Sequence, residues 1–249
     1  MSVVVLSREE WGADPAHPRL GKAVPPAERT EVFIHHTVVV DEDVSPNEWE
    51  TVDEVKAKMR QLQTIRPDLG LDVPYSMVAF CMADGDLVLG EGRGLERSGA
   101  HTRGHNRKAL GIAFQGNFER TPLPGHFEQQ LVDLGDWLRE LRTEKGLVNL
   151  GTVRPVDREV WGHRDVKDTL CPGRHLFERL ALIRFVEEAV WQQPGDPIRS
   201  DADERRVIAS HGRLRAGEVD DSVRRPVAVL LDQMMQLDGR LKKLESTRD

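Results

Sequence analysis

Tyrosine occurs once in these 249 residues and cysteine twice. Cys81 lies in an apolar run and reads as a small buried hydrophobe. A Cys81–Cys171 disulfide is disfavoured in a chain with no export signal, and residues 1–7 carry no basic region of the kind a secretory signal needs. Synthesis in the cytoplasm without a signal peptide is therefore the expectation. No apolar run approaches the roughly 18 residues of a membrane span, so no membrane helix is expected. Basic excess is lacking too: 35 Lys and Arg stand against 42 Asp and Glu, a net charge of −7. That argues against a nucleic acid partner held by bulk electrostatics. Any anionic polymer this chain binds must be held by a shaped groove. With 39% hydrophobic and 31% charged residues, the composition is that of a soluble globular protein long enough to bury a core.

What is present centres on residues 161–173, Trp-Gly-His-Arg-Asp-Val-Lys-Asp-Thr-Leu-Cys-Pro-Gly. His163 precedes Cys171 across a polar segment, and a Pro-Gly turn follows the thiol. A loop of that length can fold both groups onto one cation, and imidazole nitrogen with thiolate sulfur suits zinc. A third ligand must come from elsewhere. The best donor is the β-branched and aromatic stretch 32–40, which carries His35 and His36. Alternate residues of a strand face opposite sides, so one of the two histidines can point at a given metal. Three protein ligands with an open fourth position describe a catalytic zinc.

The remaining pattern alternates strands and helices. Residues 75–82 and 87–89 read as a hairpin about the turn signal Asp84-Gly85. Residues 110–114 and 160–161 read as further strands. Trp49, Val52, Val55, Met59, Leu62 and Ile65 recur at steps of three and four, behind a capping box at Ser45-Pro46-Asn47-Glu48. Ser7-Arg8-Glu9-Glu10 has the same capping form. Phe127, Leu131, Leu134, Leu138 and Leu141 predict a second helix stopped at Gly146, and Leu176, Leu180, Ile183 and Val190 a third. Residues 14–29 read as a proline-rich extended arm. The expected class is α/β (α+β): a single mixed central β-sheet flanked by helices, with a C-terminal helical appendage. Residues 1–192 form the expected main domain. Residues 193–221 read as a charged linker. Over 222–249, Val223, Val227, Leu230, Met234, Leu237, Leu241 and Leu244 follow a heptad seam, which predicts a helix that buries its stripe against a second chain in a homodimer or against the main domain of its own chain.

Several pieces in order carry a family resemblance: Ser7-Arg-Glu-Glu-Trp-Gly-Ala13, Ile34-His-His-Thr37, Val73-Pro-Tyr-Ser76, Gly90-Glu-Gly-Arg-Gly94, Gly99-Ala-His-Thr-Arg-Gly-His-Asn106, Gly111-Ile-Ala-Phe-Gln-Gly-Asn-Phe118, Gly162-His-Arg164 and Cys171-Pro-Gly173. Over roughly residues 7 to 190 the chain resembles the type 2 N-acetylmuramoyl-L-alanine amidases and peptidoglycan recognition proteins. The resemblance implies a zinc site of His35, His163 and Cys171, with His36 facing away. It implies hydrolysis of the amide between N-acetylmuramic acid and L-alanine in peptidoglycan, with a muropeptide as partner. It gives Tyr75 a catalytic role, orienting water or binding the oxyanion, and places Thr169 near the substrate carbonyl. Arg93, His101, Arg103 and Asn106 lie on glycine-rich loops and are expected to contact substrate, His101 most of all from its Ala-His-Thr setting. Some relatives carry a carboxylate on the strand that here holds Ala113 and Gln115, so a glutamate base is in doubt. Two other readings stand beside the leading one: a non-catalytic peptidoglycan-binding module, and a cytoplasmic muropeptide-recycling amidase rather than a bacteriolytic endolysin acting on the cell wall.

Overall fold

The computed structural model describes residues 2–38 and 46–186. Its centre is one mixed sheet built from β1 (Val3–Leu6), β2 (Glu31–His36), β3 (Glu48–Trp49), β4 (Met77–Met82), β5 (Leu87–Glu91), β6 (Ala109–Phe114) and β7 (Trp161–Gly162). The order across the sheet is β1-β5-β4-β6-β2-β7, and β3 pairs with β4 off that path. β4 and β5 form the expected antiparallel hairpin, and the other pairings are parallel. Gly85 takes φ of 99° at the hairpin turn, a conformation that a Cβ disfavours.

Side-chain alternation divides the strands between two cores. Met77, Ala79 and Cys81 of β4, Val32 and Ile34 of β2, and Leu110, Ile112 and Phe114 of β6 face α2 (Phe127–Thr143). Val78, Phe80 and Met82 face the other way, toward α1 (Val52–Leu62) and Trp11. Each fully buried side chain of this size is worth about 1.5–3 kcal/mol relative to exposure. α1 presents Val55, Met59 and Leu62 to the sheet. Gly90 on β5 allows the close approach, because a Cβ there would stand 2.6 Å from Met59 Sδ.

Three local expectations change. α1 begins at Val52, capped by Thr51 in a complete capping box with Glu54, while Glu48 and Trp49 pair with Cys81 and Met82. The ladder hydrogen bonds to β4 satisfy that backbone better than an earlier helical turn would. Ser7 and Glu10 do exchange the two capping bonds, but a single turn follows, ending where Trp11 N donates to Ser7 O. The third helix is broken into α3 (Arg174–Phe177) and a 3₁₀ turn at Leu180–Leu182. The Glu159 carboxylate accepts from the backbone N–H groups of Phe185 and Val186 and draws the chain out of helical register. β1, not anticipated, adds an edge strand. The expected linker over 193–221, the heptad helix over 222–249, and the ends of the stretches at 39–40, Ser45 and Val190 lie outside the described residues. Among the described residues no helix is long and apolar enough to cross a membrane.

The N-terminal arm is fastened by a buried ion pair. Arg8 Nη1 donates to Asp72 Oδ1 at 2.7 Å, and Asp72 Oδ2 accepts from the Leu20 backbone. Arg93 Nε lies 3.4 Å from the same carboxylate, whose side chain is wholly buried. Asp72→Ala would leave two guanidinium groups uncompensated. A stability loss of about 3–5 kcal/mol is expected, read from the urea midpoint. A loss under about 1 kcal/mol, the surface-pair range, would show that the pair is solvated.

Candidate metal centre

Phe33 and His35 share one face of β2, the face toward α1, because Val32 and Ile34 occupy the other. β7 pairs with β2 in parallel, Phe33 opposite Trp161 and Ile34 opposite Gly162. The next position after that register is His35 beside His163, and their ring centroids stand 4.7 Å apart. Gly162 admits the close packing of α3: a Cβ would lie 2.7 Å from the Phe177 ring. Asp165 Oδ2 accepts from Gly162 N at 2.7 Å and caps the 3₁₀ turn that begins at His163.

The loop after His163 returns a thiol to the same place. Arg164 N donates to Cys171 O, and the Arg164 guanidinium donates to Leu170 O and to Glu119. Thr169 Oγ1 accepts from Cys171 N at 3.2 Å. Cys171 Sγ then lies 3.5 Å from His35 Nδ1. The ligand atoms of His35, His163 and Cys171 all fall within 4.8 Å of one another. Tetrahedral zinc with two nitrogen ligands and one sulfur needs ligand separations of about 3.3–3.8 Å, so the group fits after closing slightly. The donor set of two imidazoles and a thiol is also one that zinc prefers.

Electrostatics suit the same purpose. Burial, then the neighbouring His101 and His163, holds His35 well below the usual imidazole pKa, so it is neutral at physiological pH. Burial and Lys167 lower His163 as well. Burial pushes the Cys171 thiol up to about 12, against the opposing effects of a backbone hydrogen bond from His36, Arg164 and Lys167. A cation bound there would favour the thiolate that burial disfavours.

The other sequence-predicted residues divide. Tyr75 is half-buried, its ring centroid 5.3 Å from that of His35, and it lines a shallow cleft with Thr37, Leu62, Ile65 and Arg66. Burial raises its phenol, Cys171 adding to the shift, so the group stays protonated. Thr169 stands in the loop as described. His36 is buried on the strand face away from His35. Ala113 sits opposite His35 in the β2–β6 register, and the Gln115 side chain accepts from Thr37 Oγ1 at 2.6 Å.

Three residues expected to contact substrate have partners within the fold. Arg93 is 5% exposed, beside Asp72 and the carbonyls of Leu69 and Ser98, because a guanidinium this buried needs acceptors that the fold already provides. Asn106 Oδ1 accepts from the backbone N–H groups of His101 and Thr102 and so closes its own loop. His101 is buried against His35, with 3.1 Å between His101 Nδ1 and His35 Nε2. Arg103 is exposed. Arg29 is a further organising residue that the sequence does not single out. It is wholly buried and donates to the carbonyls of Leu95, Arg97, Arg107 and Ala109, strapping the His101 loop to β6. Burial, and then Arg107, lowers its guanidinium to about 10, which leaves it charged at neutral pH. An arginine beside a strand start gives no local signal of such a role.

No family model matches the chain. Over 151 residues it is 35% identical to the N-acetylmuramoyl-L-alanine amidase of Mus musculus, a match covering 60% of this chain and 25% of the amidase. The chain thus spans about a quarter of that relative. It is 29% identical over 180 residues to peptidoglycan-recognition protein LB of Drosophila melanogaster, covering 71% and 67% of the two chains. Among solved structures, wild-type Drosophila recognition protein LB superposes with a TM-score of 0.54 at 29% identity, covering 71% of this chain and 92% of that one. The ectodomain complex of recognition proteins LCa and LCx with bound tracheal cytotoxin gives 0.52 at 28% identity, covering 70% and 93%.

Proposed function

We propose that the chain, similar to type 2 N-acetylmuramoyl-L-alanine amidases and peptidoglycan-recognition proteins, is a zinc-dependent amidase of that family, cutting the bond between N-acetylmuramic acid and L-alanine in peptidoglycan. The observation that carries this reading is the convergence of the His35, His163 and Cys171 ligand atoms within 4.8 Å. A module that only binds its ligand has no need to bury imidazoles beside a thiol, since desolvating polar groups costs free energy. A muropeptide partner is supported by the related complex whose ligand is tracheal cytotoxin. In this reading residues 1–192 are the catalytic unit, followed by the linker and the self-associating helix.

His35, His163 and Cys171 would hold the zinc, which when bound would supply Lewis acidity toward the amide carbonyl and lower the pKa of water toward neutrality. The protein's part is preorganisation. His35 enters neutral because burial keeps it so. Cys171 gives up its proton on binding, helped by the His36 backbone, Arg164 and Lys167. Tyr75 keeps its phenolic proton and donates it as a hydrogen bond to the oxyanion of the tetrahedral species. Thr169 Oγ1 accepts from Cys171 N, which leaves its O–H free to donate to the substrate carbonyl. β6 offers Ala113 opposite His35 and no carboxylate, so the proton lost by the attacking water passes to the leaving amine nitrogen without a carboxylate from that strand, while Tyr75 keeps its own.

Purified protein is expected to bind one equivalent of zinc, and Cys171→Ser to lose metal and activity together. Mass spectrometry of digested muropeptides should show intact glycan and new L-alanine amino termini. New reducing sugar ends, or full activity in metal-free Cys171→Ser, would overturn the proposal. Tyr75→Phe removes one hydroxyl at nearly constant volume. Its kcat is expected to fall on the order of 10²–10³-fold with zinc retained, and an unchanged kcat would make Tyr75 structural.

A further inference from the structure

We infer that His101 is a positioning residue for the metal centre: its Nδ1 accepts the Nε2–H of His35 and fixes the tautomer in which His35 offers a bare Nδ1 to the metal. The inference rests on the zinc reading of His35, His163 and Cys171. His35 Nδ1 faces Cys171 Sγ at 3.5 Å. Its Nε2 faces the opposite way, 3.1 Å from His101 Nδ1 and 3.3 Å from Thr102 Oγ1. A neutral imidazole has one N–H and one bare nitrogen. A metal takes the bare nitrogen, so the proton must sit on Nε2, and a buried N–H needs an acceptor. His101 Nδ1 supplies one, with Thr102 Oγ1 3.0 Å away completing a triangle of polar atoms. The opposite arrangement, with His101 donating, would put the His35 proton on Nδ1, between the imidazole and the thiol.

The fold gives the His101 ring little freedom to do otherwise. The sheet face that carries Phe33 and His35 has Gly111 beside Phe33 on β6. The His101 ring fills the space above that glycine, and a Cβ on Gly111 would stand 2.4 Å from its Cδ2. A Cβ on Gly99 would stand 2.3 Å from the same atom. The backbone is held as tightly, since His101 N donates to Asn106 Oδ1 at 2.8 Å. In this arrangement Nε2 carries the ring's own proton and is buried with no hydrogen-bond partner among the described residues, a cost that metal binding at His35 must exceed. A side chain so enclosed acts through His35 and does not reach the substrate. Such partners of metal-binding histidines orient the ring and raise its basicity, and their loss typically weakens metal binding about 10–100-fold.

The test compares wild type, His101→Phe and His101→Asn by zinc affinity in chelator competition, by kcat and KM for a muropeptide at saturating zinc, and by long-range ¹H–¹⁵N spectra of zinc-loaded protein. His101→Phe keeps the ring and removes the acceptor, and zinc affinity is expected to fall about 10–100-fold with KM unchanged. His101→Asn, whose Oδ1 stands near the place of Nδ1, is expected to restore most of it. The wild-type spectrum should place the His35 proton on Nε2, a result that does not depend on either variant folding. A proton on Nδ1, or undiminished zinc affinity in a folded His101→Phe chain, overturns the inference. A raised KM with unchanged zinc affinity overturns it in favour of substrate contact while leaving the zinc reading standing. A wild-type chain that takes up no zinc overturns both.

Discussion

Two residue pairs, Phe33 against Trp161 and Ile34 against Gly162, hold β7 to β2. A two-residue strand is too short to persist by its own ladder, so side chains must secure it. Trp161 stacks on Phe33 at 14° between planes, and its indole N–H donates to Val153 O. Phe177 packs where Gly162 has no side chain, and it is covered in turn by the guanidinium groups of Arg158 and Arg164. Arg158 also pairs with Asp165, the residue that caps the turn at His163. The separation of the two imidazoles is therefore set by the packing that secures β7 and the turn after it, and by neither ring itself.

Parity along β2 determines which side of the sheet can hold the site. A slip of one residue would exchange His35 for His36 and carry Phe33 into the α2 core. The slip is resisted because Val32 and Ile34 are wholly buried against α2 while Phe33 is wholly buried on the other face. Hydrophobic packing thus selects one histidine of an adjacent pair. The loops then build on that choice. The Gly99–Asn106 segment lays His101 behind His35, and the segment from Arg164 to Cys171 brings the thiol to its front.

Much of this was legible in the chain because it depends on local pattern. Asp84-Gly85 between apolar runs marks a hairpin, and the spacing of Phe127, Leu131, Leu134, Leu138 and Leu141 marks α2. The convergence of His35, His163 and Cys171 followed from donor type and the ordered motifs. The rest turned on competition that local pattern does not contain. Two capping boxes preceded α1, and Thr51 prevails because Glu48 and Trp49 find partners on β4. The spacing of Leu176, Leu180 and Ile183 suits a continuous helix, yet the Glu159 carboxylate captures the backbone beyond it. Arg93, His101 and Asn106 have the residue types of a binding loop, but the direction a loop side chain takes is set by what lies beneath it. For His101 the relevant clue was a pair of glycines, Gly99 and Gly111, whose meaning appears once β6 and the loop are stacked.

The distribution of cations bears on how an anionic polymer could be recognised at all. Arg8 and Arg93 are committed to Asp72, Arg29 to four carbonyls, and Arg164 to Glu119 and the Cys171 loop. Arg29 and Arg93 are buried and Arg8 and Arg164 partly exposed, and in each the guanidinium ties chain segments together. Arg66, which lines the cleft beside Tyr75, is paired with Asp68, and Arg107 with Glu28. With a net charge of −7, long-range attraction to a polyanion is weak or repulsive. For the peptidoglycan ligand proposed above, recognition would then rest on short-range contacts and on hydrogen bonds made after the ligand is seated. A neutral amide is a fitting target for such a site, since its hydrolysis needs donors aimed at one carbonyl oxygen rather than a field that gathers charge.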